Sequence, residues 1–216
     1  MSGKPVSRRA FLFGTVTVAA GAAIGTVVSK LGSATSTVLQ KVTAKLPTVF
    51  AKAAPLPADP AASISGLSPL VTPTKDFFRI DNALVPPNLD ANTWKLVIDG
   101  MVSSRREITY EELLAMPMIE VDCTISCVSN PVGGSLVGNA RWLGVKLDSI
   151  IKSVNPQSSA DQIMSYSSDG FSAGFPTVAA FDRDAIIAVA MNGEVLSTEH
   201  GYPARLIVPG LYGYRN

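Results

Sequence analysis

Residues 121–147 read V-D-C-T-I-S-C-V-S-N-P-V-G-G-S-L-V-G-N-A-R-W-L-G-V-K-L and contain both cysteines of the chain. From Ile119 to Cys127, apolar side chains alternate with polar ones, which predicts a β-strand that buries one face. Cys123 falls in the middle of this strand, and Cys127 falls at its end, where a glycine-rich loop begins. A short amphipathic helix is expected from Leu147. The two cysteines should therefore share one face of the strand but have different surroundings.

The strand geometry separates the roles of the two cysteines. At roughly 3.3 Å per residue their Cα atoms lie about 13 Å apart, whereas a disulfide needs them within about 7 Å. We therefore predict no bridge, and we expect Cys123, among aliphatic neighbours, to act as a small buried hydrophobic residue. Cys127 lies beside Asn130 and several glycines, where a bulky ligand can approach the backbone, so it suits a nucleophile or a soft-metal ligand. The residues alone leave both roles open.

Composition bounds the class of protein. A chain of 216 residues with 47% apolar residues suits one folded domain with appended segments. The net charge is +1 and no basic stripe is interleaved with aromatic residues, so nothing indicates binding to nucleic acid. The single histidine, His200, excludes the common hydrolytic zinc sites, which need two or three histidines.

The first 30 residues have the character of a targeting segment. Residues 7–12 read S-R-R-A-F-L, a twin-arginine pattern, and residues 10–29 form an uncharged run rich in Ala, Gly, Val and Thr. A basic start followed by a mildly apolar run is typical of an export signal. A membrane anchor is the alternative, because the run is about long enough to span a bilayer. We expect export by the twin-arginine route and a periplasmic or membrane-anchored location.

The rest of the chain divides into a linker and a domain. Residues 31–70 are rich in Ala, Pro, Ser, Thr and Lys and are predicted to form a flexible linker. Residues 71–216 are predicted to form the folded domain, because strand and helix patterns recur there. The other predicted elements are strands at 94–99, 161–166 and 185–191, helices opened by a Thr109–Glu112 capping box and at 147–154, a short helix or turn at 176–181, and turns at Asp169-Gly170 and Asn192-Gly193.

Two further stretches carry candidate binding residues. Arg205 begins a buried-looking strand, and His200 lies five residues before it in a loop rich in Gly and Pro. Arginine can bind a phosphate through two N–H groups and histidine can add a donor, so the pair suits an anionic ligand. The alternative is a loop histidine with satisfied hydrogen bonds and an ion-paired arginine. The unusual segment 77–79, F-F-R, is interpreted from composition as a partly buried entry segment, with Arg79 paired to Asp76 or Asp81.

Three stretches together resemble a known family. They are C-V-S-N at 127–130, N-A-R-W-L-G-V-K-L at 139–147, and M-N-G-E-V-L-S-T-E-H-G-Y-P-A-R-L-I-V-P-G-L-Y-G-Y at 191–214. They resemble the molybdopterin-binding domain of the sulfite oxidase family, and the likeness extends over roughly 71–216 and is strongest to exported bacterial members. The resemblance implies an α+β fold of mixed sheets with short helices, and Mo-molybdopterin as the cofactor.

The resemblance also implies a role for each matching position. Cys127 matches the cysteine whose thiolate binds molybdenum, and its soft sulfur suits that metal. His200 and Arg205 match the pair that holds the pterin and its phosphate. The other positions implied to lie against the cofactor or its loop are Phe77, Phe78, Arg79, Asn130 and Asp169, with Ser167 as the alternative to Asp169.

The sequence differs from the family pattern in two respects. One concerns the substrate, and the other concerns the position at which the chain ends. Sulfite oxidases carry arginine in the loop after the metal-binding cysteine, whereas residues 130–136 read N-P-V-G-G-S-L, without positive charge. The tyrosine that usually faces the metal corresponds to Phe171. The resemblance therefore implies an uncharged oxygen donor or acceptor rather than sulfite. The chain ends at Asn216, before the family's lysine that closes the cofactor site, so residues 1–216 are expected to be incomplete and to bind the cofactor poorly.

The expected reaction is two-electron oxygen-atom transfer to or from a small molecule, coupled to a haem or quinone redox partner. Membrane association through residues 10–29 is part of this expectation. One rival is a thiol hydrolase that uses Cys127 and His200. The other is a truncated, catalytically inactive domain.

Overall fold

The computed structural model describes residues 46–216. These residues form ten strands and two short α-helices, and both helices are six residues long. The strands are β1 Val49–Ala51, β2 Lys95–Ile98, β3 Arg106–Thr109, β4 Met118–Ser126, β5 Val137–Lys146, β6 Gln162–Tyr166, β7 Ser172–Pro176, β8 Ile186–Met191, β9 Glu194–Val195 and β10 Arg205–Ile207, and the helices are α1 Tyr110–Ala115 and α2 Leu147–Lys152. The α+β class implied by the resemblance is confirmed.

One six-stranded sheet organises the described residues. Its strands lie in the order β1-β4-β5-β8-β10, and β9 pairs with β8 at one end. The β1–β4 pair is parallel and the other pairs of this sheet are antiparallel. Two smaller antiparallel sheets, β2-β3 and β6-β7, lie outside it. In the β4–β5 register Cys123 lies opposite Ala140 and Ile125 lies opposite Gly138.

The main sheet buries both of its faces. Along β8, Ile186 and Ala188 belong to one apolar cluster, whereas Ile187 and Val189 belong to another. Successive residues of a strand point to opposite faces, so the two clusters lie on opposite sides of the sheet. The α1 and α2 side chains pack in the cluster that contains Ile187. The second cluster includes Phe77, Val121, Cys123, Ile125, Trp142 and Tyr202, and it forms the side on which the candidate site is built.

The described end of the predicted linker contains a short strand. Residues 49–51 form β1 against the outer edge of β4, and the Ala53 N–H donates to Glu120 Oε2 at 3.1 Å. Arg141 Nη2 donates to the carbonyl oxygen of Ala54 at 2.8 Å. An uncovered edge of β4 would leave its peptide groups without partners, and this segment supplies them despite its low-complexity composition. Residues 31–45, and the predicted export signal in residues 1–30, lie outside the described residues.

Several local predictions are confirmed. Thr109 and Glu112 form the reciprocal capping box at the start of α1. Asn192 and Gly193 both have positive φ angles, 52° and 80°, as the tight β8–β9 turn requires. Residues 137–146 were not predicted as a strand, yet they form β5, the partner of both β4 and β8. Within residues 46–216, no helix combines the length and apolar character needed to cross a membrane.

Candidate functional site

Cys127 lies at the point where β4 passes into the loop. Its N–H donates to the carbonyl oxygen of Leu136 at 2.9 Å and so extends the β4–β5 ladder by one rung. Its own carbonyl accepts from the N–H of Asn130 at 3.0 Å, which closes a turn. The side chain is half-buried and is not bridged to Cys123, as the strand geometry predicts. Two hydrogen bonds thus fix the backbone of Cys127, and its sulfur contacts the Ser129 hydroxyl.

The two cysteines differ in acidity. The Sγ of Cys127 lies 3.1 Å from the Ser129 hydroxyl, and hydrogen bonds from that hydroxyl and from the Ser129 and Val128 N–H groups lower the pKa of the Cys127 thiol. Burial among apolar side chains raises the pKa of Cys123 to about 11. Cys127 is therefore the thiol prepared to act as a thiolate, and Cys123 is a core residue, as predicted.

Asn130 fixes the loop that follows Cys127. Its Oδ1 accepts from the N–H of Leu136 at 2.8 Å, across the mouth of the loop. A Cβ placed on Gly134 would lie 2.6 Å from the same oxygen, so this close approach requires glycine. Asn130 lies in the loop next to Cys127 as expected, and the structure gives it a loop-bracing role. Its contact with a cofactor stays a prediction.

His200 connects its loop to the segment that carries Phe77. Its Nε2 lies 3.0 Å from the carbonyl oxygen of Thr74. Because a carbonyl only accepts hydrogen bonds, Nε2 carries the proton, and Nδ1 is left as an acceptor in the neutral ring. Burial is the largest cause that lowers the pKa of His200, so the neutral form predominates at pH 7. The donor that the sequence suggested for an anion is thus engaged by Thr74.

Arg205 is a half-buried cation at the start of β10. Its guanidinium lies over the Trp142 ring, 5.4 Å from the centroid, and Nη1 donates to the His200 carbonyl oxygen at 3.4 Å. Among residues 46–216 it makes no ion pair, so the alternative of a salt-bridged arginine is not found there. Desolvation lowers the pKa of Arg205 to about 10, which leaves it charged at neutral pH. The charge of Asp81, which is ion-paired with Arg79, acts on Arg205 from beyond ion-pair distance and raises its pKa. A desolvated cation without an ion-pair partner favours an anionic ligand.

Phe77 lies at the centre of the site. Its ring is 5% exposed and meets Trp142 and His200 edge-on, at centroid distances of 5.8 and 5.9 Å. It stacks on Phe78 at 5.4 Å, and a Cβ on Gly138 would lie 2.7 Å from the Phe77 ring. The two phenylalanines therefore join the cluster formed by the other site residues.

Arg79 and Asp169 are placed differently. Arg79 is exposed and its Nε donates to Asp81 at 2.5 Å, so the interpretation as an ion pair with Asp81 is confirmed. Asp169 lies in the exposed β6–β7 turn, where its Oδ1 accepts from the Ser167 hydroxyl and from the N–H of Phe171. These hydrogen bonds, led by that of Ser167, lower the pKa of Asp169. The described contacts of Asp169 give it a turn-forming role, and its cofactor contact stays a prediction.

The sheet sets the spacing between the sulfur and the cation. Trp142 Nε1 donates to the carbonyl oxygen of Cys123 at 3.4 Å, so Arg205, which lies over Trp142, is near the Cys123 level of β4. Cys127 is four residues further along, about 13 Å away. Gly213 lies near Cys127, since a Cβ placed on it would be 3.6 Å from the carbonyl oxygen of Ser126. The site is therefore elongated, with a soft sulfur at one end and a positive charge at the other.

The comparisons with known proteins assign the family. A family model described as "Oxidoreductase molybdopterin binding domain" matches residues 82–216. The chain belongs to this family. It is 30% identical over 164 residues to the mitochondrial sulfite oxidase of Drosophila melanogaster, which covers 65% of this chain and 28% of that protein. It is 26% identical over 193 residues to the sulfite oxidase of Arabidopsis thaliana, which covers 75% of this chain and 49% of that protein.

A bacterial relative and a solved structure extend this likeness. The "Uncharacterized oxidoreductase YuiH" of Bacillus subtilis is 29% identical over 143 residues, covering 66% of this chain and 70% of that protein. The crystal structure of the sulfane dehydrogenase SoxCD from Paracoccus pantotrophus aligns with a TM-score of 0.56 and 26% identity, over 60% of this chain and 37% of that chain. The chain thus spans half or less of the sulfite oxidases it matches. The implied sulfite oxidase family is confirmed.

The cofactor of this molybdopterin-binding domain is Mo-molybdopterin, and the residues present fit it. Cys127 supplies the soft thiolate that suits molybdenum. Arg205 supplies a cation without a carboxylate partner among the described residues, which suits the phosphate of the pterin. Within residues 46–216 no group of three or more His, Cys, Asp or Glu residues could hold a metal ion.

Some site residues had no role in the sequence interpretation. Asn192 Oδ1 accepts from the N–H of Arg141, and its Nδ2 donates to Thr72 O and Thr74 Oγ1 at 3.0 and 3.2 Å. It therefore ties the segment before Phe77 to the sheet. The sequence predicted the Asn192-Gly193 turn. It gave no sign that the Asn192 side chain also binds Thr72 and Thr74. Ser129 and Trp142 were also missed, although both lie within the stretches that resemble the family.

Proposed function

We propose that this chain is the cofactor-binding part of an oxidoreductase that carries out two-electron oxygen-atom transfer on a small uncharged molecule. The observation that carries the proposal is the pairing, on one sheet face, of an acidified Cys127 thiol with an Arg205 cation that lacks a carboxylate partner within residues 46–216. The family membership supplies the cofactor class.

The bound Mo-molybdopterin would supply the oxygen-atom transfer and the accompanying change of two electrons. Cys127 would bind the metal as a thiolate, and the Ser129 hydroxyl at 3.1 Å would donate to that sulfur and moderate its negative charge. Arg205 would hold the phosphate through its N–H groups. The ring of Phe77 excludes water from the space beside Trp142, which strengthens the electrostatic contacts of Arg205.

The loop after Cys127 supports an uncharged substrate. Residues 130–136 carry no charged side chain, and Pro131, Val132 and Gly133 are exposed there. An oxyanion such as sulfite would find no cation in this loop to offset the loss of its hydration. Phe171, which is half-buried, adds no hydroxyl group. A neutral oxygen donor or acceptor can bind beside this loop without losing the hydration energy of a charged group.

The redox partner and the location are part of the same proposal. A quinone partner would take or give the two electrons together with two protons, and a haem partner would take or give them one at a time. The S-R-R-A-F-L pattern at 7–12 supports export by the twin-arginine route, to the periplasm or to a membrane-anchored position through residues 10–29.

The thiol-hydrolase alternative is not favoured by the geometry. A catalytic thiol needs a base within hydrogen-bond reach. The partner of the Cys127 sulfur is the hydroxyl of Ser129, and the Nε2 of His200 is held by the carbonyl oxygen of Thr74. The described structure therefore pairs the Cys127 sulfur with a hydroxyl group and not with the His200 ring.

The deciding experiment is metal analysis of the full-length protein produced with molybdate. We expect one molybdenum per chain, lost in Cys127→Ser and retained in Cys123→Ser, which removes the core thiol. A protein without metal that shows hydrolytic activity dependent on Cys127 would support the hydrolase instead. A metal-free protein without activity would identify an inactive domain.

A further inference from the structure

Trp142 makes a contact with Arg205 that the roles above do not use. The Cζ atom of Arg205 lies over the indole ring, 5.4 Å from its centroid. Trp142 is completely buried, and it is one of only two tryptophans in the chain. A cation placed over an aromatic face within about 6 Å is stabilised by the ring's quadrupole, and more so when water is excluded.

The Trp142 ring is fixed from three sides. It belongs to β5, opposite Val121, and its Nε1–H donates to the carbonyl oxygen of Cys123 at 3.4 Å. The Phe77 ring packs edge-on against it at 5.8 Å and 89°. The indole can therefore serve as a rigid platform, and its orientation sets where the guanidinium lies.

A ring platform leaves the arginine able to bind an anion. A carboxylate partner would occupy the N–H donors of Arg205 and neutralise its charge, and it would then compete with any anionic ligand. A ring contacts the guanidinium face and leaves the in-plane donors available. The hydrogen bond described for Arg205 is the 3.4 Å contact of Nη1 with the His200 carbonyl oxygen, so most of its donors have no described protein partner within residues 46–216.

We propose that Trp142 is a positioning residue that holds the Arg205 guanidinium in place for the phosphate of the pterin cofactor. The inference rests on the proposed function, because it takes Arg205 as the phosphate-binding residue. Trp142 does not touch the anion itself; it stabilises the desolvated cation and orients its donors.

The test measures binding of inorganic phosphate to the cofactor-free full-length protein by calorimetry. The variants are Trp142→Leu, which removes the π face, Trp142→Phe, which restores a weaker one, and Arg205→Gln. Trp94→Leu is the matched control, since the other tryptophan packs on Tyr110 at 6.2 Å, away from Arg205. We expect Trp142→Leu to weaken phosphate binding by roughly fivefold to thirtyfold and Trp142→Phe by roughly twofold to fivefold, with Trp94→Leu unchanged.

The outcomes separate this inference from the proposed function. If Arg205→Gln binds phosphate as well as the wild type, Arg205 is not the anion site and both proposals fall. If Arg205→Gln loses binding while the folded Trp142 variants keep it, only the positioning role is overturned. If Trp142→Leu fails to fold, the Trp142→Phe variant provides the test. An unchanged phosphate affinity of Trp142→Phe would contradict the positioning role of Trp142. An equal loss in Trp94→Leu would also overturn it. The pterin content of purified protein, measured after extraction, should follow the same order of variants.

Discussion

The Nε2 of His200 and the carbonyl oxygen of Thr74 are joined by a 3.0 Å hydrogen bond across 126 residues of sequence. This bond attaches the loop before β10 to the segment that carries Phe77. It also consumes the one N–H of the neutral imidazole. His200 therefore ties its loop to the segment of Phe77, which it meets edge-on, and its predicted contact with a cofactor stays a prediction.

Replacing His200 should destabilise the fold through the carbonyl group that it leaves behind. His200→Phe keeps a ring of similar shape but removes the donor, so the half-buried Thr74 carbonyl loses its partner on the buried His200 ring. We expect a loss of about 1–3 kcal/mol in the free energy of unfolding, measured by urea titration. His200→Gln, which can still donate, is the control and should lose less. Equal losses in the two variants would show that the hydrogen bond contributes nothing.

The same histidine should make stability depend on pH. Burial lowers the pKa of His200 in the folded state, while the unfolded chain titrates near its ordinary pKa of roughly 6.5. Below that pH the unfolded state binds the proton more readily, so the stability present above pH 6.5 is lost as the pH falls towards the folded pKa. His200 is the only histidine in the chain, so urea titrations between pH 5 and 7.5 should show this fall, and His200→Phe should remove it. A wild-type profile that is flat over this range would refute the assignment.

The two thiols should react at different rates in cofactor-free protein. The Cys127 thiol has its pKa lowered by Ser129, whereas burial raises the pKa of Cys123 to about 11. We expect iodoacetamide at pH 7.5 to modify Cys127 first, as read by mass spectrometry, and Ser129→Ala to slow that modification because less thiolate is present. Ser135→Ala, in the same loop, is the control. Faster modification of Cys123 would contradict the described burial.

Glycine at position 138 should be required for the packing of Phe77. A Cβ there would lie 2.7 Å from the Phe77 ring, so Gly138→Ala must displace the ring or the strand. We expect a loss of about 1–3 kcal/mol in stability, measured by thermal or urea unfolding, with partial recovery in the double variant with Phe77→Leu. Gly213→Ala is the matched control, since its Cβ would meet Ile125 at an ordinary 3.4 Å. If Gly138→Ala is no more destabilising than Gly213→Ala, the described contact is wrong.

Local rules predicted the elements whose cause lies within a few residues. The alternation that ends at Cys127 gave β4, the Thr109–Glu112 pattern gave the start of α1, and Asn192-Gly193 gave the β8–β9 turn. β5 was missed because only residues 137–142 alternate in burial, while residues 142–145 are buried on both faces, so the strand has no regular apolar alternation along its whole length. β1 was missed because it forms by pairing with the open edge of β4, and its own composition does not indicate a strand.

The candidate site was predictable to the extent that its chemistry follows from residue type. A thiol at a strand end and an arginine at a strand start suggested a soft ligand and an anion site. Which polar groups were already engaged decided the rest: His200 donates to the distant Thr74 carbonyl, Arg79 donates to Asp81, and Asp169 accepts from Ser167. The Thr74–His200 pairing has no local pattern because it is set by how the two segments assemble, whereas Arg79–Asp81 and Ser167–Asp169 join residues two apart, and the first of these was predicted.

The central claim is that the Cys127 sulfur binds molybdenum. X-ray absorption at the molybdenum edge of the purified full-length protein tests it most directly. We predict that the Cys127→Ser protein, if it retains any metal, shows one sulfur neighbour fewer than the wild type, whereas Cys123→Ser shows the same number. An unchanged sulfur count in Cys127→Ser, at full metal content, would contradict the claim.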